Sequence, residues 1–330
     1  MSAEHDDILG AWAMDALEPD ERDRVDALIA ADPSTRRSGD RMRAALAAMA
    51  EGDATAPPAE VRAAVLDIAR RRPPARAIPS HPIAAFRHQV AAFDEVVGQV
   101  VGEKWRLNAT PYDWSLHGLV AHLLQIERYM QRALGLAEGP RDEYETDHLK
   151  FGAAQIADEL TRSPASTVDA WRQAVAAVDP YLDALDLDAG MVFHQWPFTI
   201  SSFLVARSFE LWTHADDIRR ALGQQVAPPV PPDVMVMSDT SVRSLPLAIH
   251  VVSDHVPDGM ARVVLTGTGG GVWDLQLGAG GPELVSVVAD VVDYCRLAAR
   301  RVSVDGLDAV IDGDAALADR LLTAATIIAV

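Results

Sequence analysis

Four long stretches between residues 83 and 222 place apolar side chains at every third or fourth position, and that period constrains the fold more than any other feature. The first begins near Ile83 and carries Phe86, Val90, Phe93, Val97 and Val100 on one face. The second follows the polar turn Asn108–Asp113, with Asp113 or Ser115 available as its N-cap, and puts Leu119, His122, Leu123 and Ile126 on a shared stripe. The third is centred on Val168 to Leu185 and contains Trp171, and the fourth runs from Ser201 to Leu222. Helices of this length must each bury a stripe. Together they predict a four-helix bundle over residues 83–224, an architecture whose interior pools ligands from facing helices.

The fourth helix carries Glu210 and His214, four residues apart and therefore on one face. A carboxylate and an imidazole aimed at one point form part of a metal site or an acid/base pair once a third group arrives. The same spacing fits a solvated pair on the helix of an acidic protein. His122 is the candidate third group, and on its apolar stripe it equally fits a satisfied core histidine. Asp217, three residues past His214, could orient that ring or be a surface acid, and Asp216 beside it leaves the choice open. Arg207, one turn before Glu210, could hold the carboxylate or an anionic ligand, or sit in a surface ion pair. His117, His148 and His194 have no recommending spacing and read as surface or loop histidines.

Both flanks of the bundle change character. Before it, four short helices are expected, over residues 5–17, then through Ile29, then Thr35 to Met49, and finally Ala59 to Arg72, whose last turn holds three arginines. Such a unit offers a meagre core, so a partner surface is expected for it. Residues 73–82 contain four prolines and read as a semi-rigid linker, and residues 224–232 contain four more and mark a second boundary. Beyond them the period shortens. Residues 261–266 and 272–277 read as a hairpin through the glycine-rich turn Gly267–Gly271, followed by a strand at 284–288 and helices at 291–301 and 315–327. The glycine turn leads into a strand instead of a helix, which makes it a poor phosphate cradle. Cys295 lies among Val, Tyr and Leu, where packing explains it.

A net charge of −19 over 330 residues would repel phosphates across most of the surface, so no direct nucleic-acid binding is expected. One cysteine allows no internal disulfide, no apolar run approaches a membrane span, and the first residues are acidic. A cytoplasmic protein without membrane contact is the expectation.

Two resemblances follow. His5, Asp6, Leu9, Gly10, Ala11, Ala13, Asp15, Ala16, Leu17, Pro19, Glu21 and Arg22 make the opening similar to the N-terminal domain of zinc-finger-like anti-sigma factors. Zinc members of that group continue with His-x-x-x-Cys-x-x-Cys, where this chain has Leu28, Asp32 and Thr35, so no metal is expected there. The resemblance implies that residues 1–72 clasp an extracytoplasmic-function sigma factor. A helical packing arm is the plainer reading. Thr110, Pro111, Trp114, Ser115, Leu119, Val120, Ala121, His122 and Leu123 form the first half of the second resemblance. Its other half is Arg207, Phe209, Glu210, Trp212, His214, Asp217, Ile218, Arg220, Ala221, Leu222 and Gly223. This pattern resembles the metal-binding domain of the mycothiol-dependent maleylpyruvate isomerase family, within the DinB-like group.

That second resemblance implies that His122, Glu210 and His214 bind a divalent metal, taken as zinc, with coordination positions left open for a small-molecule thiol such as mycothiol or for an electrophile. The run from Val310 to Leu322 resembles the C-terminal domain that accompanies the bundle in that family, a sterol-carrier-like α+β unit. The resemblance implies that an arginine of this unit approaches the substrate, with Arg296, Arg300 and Arg301 as candidates and Arg300 carried forward. The expected fold is therefore mostly α with a small α+β domain. It comprises an anti-sigma-like helical domain over 1–72, a linker over 73–82, a DinB-like four-helix bundle over 83–224 and an α+β domain over 225–330. The expected function is that of an anti-sigma regulator whose bundle senses a metal and a thiol or other small ligand. The alternative is a mycothiol-dependent metalloenzyme, an isomerase or thiol transferase.

Overall fold

The structure, a computed structural model, describes residues 3–14, 16–52, 58, 61, 78–109, 113–138, 152–193 and 196–328. The chain divides into two units, Met1–Asp67 and Ile68–Val330. In the first, α1 (Ala3–Ala13), α2 (Pro19–Ala31) and α3 (Pro33–Gly52) start where the punctuation of the sequence places them, with Pro19 and Pro33 in first turns. Asp32 caps α3, its carboxylate accepting from the Thr35 backbone N–H at 3.0 Å and hydroxyl at 2.7 Å. Asp32 and Thr35, at the two positions where the resemblance would place cysteines, are thus spent on a helix cap. The core of this unit is Leu9, Trp12 and Val25, and the Trp12 indole N–H donates to Asp26 at 2.7 Å. Gly39 lets α3 pass the indole, since a Cβ there would come within 2.9 Å of the ring. The helix expected at 59–72, apart from residue 61, and residues 73–77 of the linker lie outside the described residues.

The second unit opens with α4 (Pro82–Val97), which buries Ile83, Phe86, Phe93, Val96 and Val97. A two-residue ladder, β1 (Asn108–Ala109) against β2 (Trp114–Ser115), then leads into α5 (Leu116–Ala133). Ser115 supplies the N-cap of α5, its hydroxyl accepting from the Gly118 N–H at 3.1 Å. After a helical stretch at 152–159 come α6 (Pro164–Leu182) and the hairpin of β3 (Gly190–Phe193) and β4 (Trp196–Thr199). Next is α7 (Ile200–Ala221), where Thr199 and Ser202 cap each other reciprocally. Helices α4, α5, α6 and α7 form a four-helix bundle, with α4 along α7 and α5 along α6. Phe93 meets Trp171 edge-on at 5.0 Å between ring centres, while Arg87 ties α4 to Asp179 of α6 and to its C-cap Asp183 on the outside.

Past the proline-rich boundary the short strands do not come first. A 22-residue helix, α8 (Pro231–Val252), precedes them and buries one face, including Val234, Met237, Val242, Leu245 and Ile249. Its exposed face mixes Arg243 with Leu247 and Val251, and it contains Pro246, so periodicity alone conceals it. Thr240 and Ser244 return their hydroxyls to carbonyls one turn back, at 2.9 and 2.8 Å, which makes them compatible with the helix interior. The sheet that follows has the order β6-β5-β7-β8, from β5 (Gly259–Thr266), β6 (Gly271–Leu277), β7 (Glu283–Asp290) and β8 (Val310–Gly313). Strands β5 and β7 run parallel and the other pairs antiparallel. The glycine turn joins β5 to β6, with Gly267 at φ 88° and Gly269 at φ 94°, values that side-chain-bearing residues adopt at a cost. Helices α9 (Val291–Ala298) and α10 (Ala315–Ile328) complete the layer, and α8 packs against α10. The molecule is thus mostly α with a small α+β portion.

Candidate metal centre

Helix α5 carries His122 and helix α7 carries Glu210 and His214. Their facing stripes bring one ligand atom of each within 4.8 Å of the others. All three lie in the interior. His122 and His214 are 5 % and 3 % exposed, and the Glu210 side chain keeps 9 % of its surface. The His122 Nε2 atom is 2.9 Å from Glu210 Oε1, and the two imidazoles meet edge-on at 5.7 Å. Trp114, half-buried at the mouth of α5, lies over His122 with ring centres 4.7 Å apart.

Each ligand on α7 is also held from behind. The Asp217 carboxylate, one turn along the helix, is 3.0 Å from His214 Nδ1, an arrangement that directs Nε2 toward the other two ligands. Asp217 is in turn gripped by Arg301, whose Nε and Nη2 donate at 3.0 and 2.5 Å and whose Nη1 donates to the Ala299 carbonyl at 2.7 Å. Arg207, fully buried, donates through Nη1 to Glu210 Oε2 and through Nη2 to Glu127 Oε1 at 2.6 Å. It is no surface ion pair, because desolvation on all sides makes its two carboxylate partners obligatory.

The electrostatics follow from burial and these partners. Burial pushes the Glu210 carboxyl upward, but Arg207 and the two histidines outweigh it and hold the group well below the usual carboxylate range. His214 is held below the ordinary imidazole range, because burial dominates over the pull of Asp217. Asp217 is pushed up by burial and brought down further by His214 and Arg301, so it stays ionised. A neutral imidazole backed by a carboxylate, beside an ionised glutamate, is the protonation pattern a divalent cation requires. The donor set, the shared distance and the held outer atoms all fit such an ion.

Other candidates fall elsewhere. Arg300 is exposed and donates to the Thr326 carbonyl at 2.8 Å, while its backbone takes φ 58°. That left-handed residue turns the chain after α9, so the adjacent Arg301 side chain points into the site and Arg300 away from it. Arg296 pairs with Asp293, and Asp216 with Arg219. His117 is a buried residue of α5, contrary to a surface reading. Its Nε2 is 2.9 Å from the Thr167 hydroxyl, and burial lowers its pKa against the pull of Glu159. His148 and His194 lie outside the described residues, as do Thr110 and Pro111. Sequence reasoning missed Glu127, for which no spacing signal existed. It stands five residues past His122, off the ligand face.

Residues 86–219 match the family model described as mycothiol maleylpyruvate isomerase N-terminal domain. Among solved structures, the crystal structure of the mycothiol-dependent maleylpyruvate isomerase is similar at 17 % identity and a TM-score of 0.49, covering 69 % of this chain and 91 % of that one. A histidine-to-alanine mutant of that isomerase is similar at 17 % identity and a TM-score of 0.48 over the same shares. No curated protein sequence matches the chain.

Proposed function

We propose, from the match of residues 86–219 to the mycothiol maleylpyruvate isomerase N-terminal domain, that this protein is a metalloenzyme that activates a low-molecular-weight thiol, mycothiol in hosts that make it. The observation that carries the reading is the buried cluster of His122, Glu210 and His214, with one ligand atom of each within 4.8 Å of the others. Three N/O ligands suit zinc in an open, catalytic arrangement. When bound, the ion would supply the positive charge that favours a thiolate at neutral pH. The protein's own groups do the rest. Asp217 and Arg301 fix the ring of His214, Arg207 fixes Glu210, and the half-buried Trp114 covers His122 with an apolar wall that limits water. An electrophilic, unsaturated acid that adds and releases a thiolate, with isomerisation or transfer as the outcome, is the substrate class this supports.

Metal analysis and a thiol-dependent maleylpyruvate isomerisation assay test the reading together. Purified protein should carry divalent metal, and a variant with His122, Glu210 and His214 all changed to Ala should carry none. Unchanged metal content in that variant would sink the metal reading. Turnover independent of both thiol and metal would sink the enzyme reading.

The sequence ranks a regulatory function first, and the family match supports the enzyme instead; nothing among the comparisons supports a sigma-factor partner. One observation keeps a partner for the first unit in play. Its core rests on Leu9, Trp12 and Val25, while Leu28 and Met49 are 48 % and 73 % exposed. Co-purification with an extracytoplasmic-function sigma factor tests it, and failure with every sigma factor of the host would end it.

A further inference from the structure

Glu127 and Arg207 form an ion pair across α5 and α7 in which both side chains are fully buried, directly behind Glu210. Burying such a pair is a poor route to stability, since apolar residues of similar volume commonly do as well or better. What the pair achieves is geometric. A guanidinium is a rigid planar fork, so fixing one arm fixes the other. Glu127 Oε1 holds Nη2 at 2.6 Å, and Nη1 is thereby committed to Glu210 Oε2. Only Glu210 Oε1 then faces His122 Nε2, at 2.9 Å.

We propose that Glu127 is a positioning residue of the metal centre: through Arg207 it occupies one oxygen of Glu210 and makes that ligand monodentate. The proposal rests on the reading of His122, Glu210 and His214 as a metal site. The arrangement has a counterpart on the other ligand of α7, where Arg301 holds Asp217 and Asp217 holds the outer nitrogen of His214. Helix α5 therefore contributes twice, through His122 as a ligand and through Glu127 as the anchor that sets the geometry of a ligand on another helix.

Cobalt(II) uptake by the full chain tests this with two readouts, affinity in competition with a chelator and the visible absorption of the bound ion, which reports coordination number. Glu127→Gln keeps the shape and loses the charge, and Glu127→Asp keeps the charge and withdraws it by one methylene. Both should bind cobalt about 10-fold more weakly than wild type. Both should also show weaker visible bands, as the second oxygen of Glu210 becomes free to coordinate. Folded variants with wild-type affinity and spectrum would overturn the proposal, as would a Glu127→Asp variant that behaves like wild type while Glu127→Gln does not, since charge alone would then account for the effect. Glu127→Asp leaves no buried guanidinium unpaired and keeps the test available if Glu127→Gln does not fold. Wild-type protein that takes up no cobalt would overturn the metal reading itself, a result distinguishable from normal wild-type uptake with unaltered variants.

Discussion

At the scale of single residues, the centre is a set of ligands whose outer atoms are already taken. Asp217 is the clearest case, because it touches His214 Nδ1 and receives two bonds from Arg301. Asp217→Asn keeps the volume but can present an N–H to the ring and so favour the wrong tautomer. Metal affinity should drop about 10–100-fold with the fold intact, and chelator competition checks it. The neighbouring pair Arg300 and Arg301 shows where sequence reasoning stops. Two adjacent arginines cannot be told apart by type, and the choice is made by a left-handed backbone at Arg300. Because that conformation costs a Cβ-bearing residue about 1 kcal/mol, Arg300→Gly should be more stable than Arg300→Ala by about that amount in urea unfolding. His117 gives a pH prediction. Its folded-state pKa is lowered by burial, so the unfolded chain binds its proton first as pH falls below about 6.5. Stability is then lost from there down through the folded value, and His117→Gln should lose less than wild type between pH 7.5 and 5.5.

At the scale of elements, the caps and apolar stripes of the bundle were legible because they are local. Ser115 and the hydrophobic faces of α4 to α7 can be read within one turn of sequence, and so can the placement of Glu210 and His214 on one face. Thr199 is a further local device, sharing a reciprocal cap with Ser202 at the start of α7. Thr199→Ala should cost about 1 kcal/mol in thermal or chemical unfolding while leaving bound metal unchanged, because the cap lies about three turns from Glu210 and four from His214. Helix α8 was not legible, since its exposed face mixes Arg243 with Leu247 and Val251, which blurs the polar stripe that reveals a helix, and Pro246 argues against one. The β3/β4 hairpin, which contains Pro197, escaped for a similar reason. Glu127 escaped for another, and Arg301, a candidate beside Arg296 and Arg300, was passed over for the same reason. Their importance comes from partners 80 and 84 residues away, and no local period encodes such a choice.

At the scale of the whole molecule, the centre draws its ligands from two helices of the bundle and the anchor of one ligand from the turn after α9, so one bound ion would tie together elements spread from His122 to Arg301. Free energy of binding to such a site is free energy of folding, provided the unfolded chain does not bind the ion as well. Metal at 100 times its Kd should stabilise the unit Ile68–Val330 by about 2.7 kcal/mol. For a unit of this size that raises the midpoint of thermal unfolding by about 5–10 °C. The triple variant at His122, Glu210 and His214 should show no metal-dependent shift, and Arg301→Ala should show a reduced one, because Asp217, which orients His214, then loses the guanidinium that holds it. Scanning calorimetry with and without added metal measures all three proteins under the same conditions. A wild-type midpoint that does not move with metal would remove the cluster from consideration as a metal site. A shift of equal size in Arg301→Ala would confine Arg301 to packing.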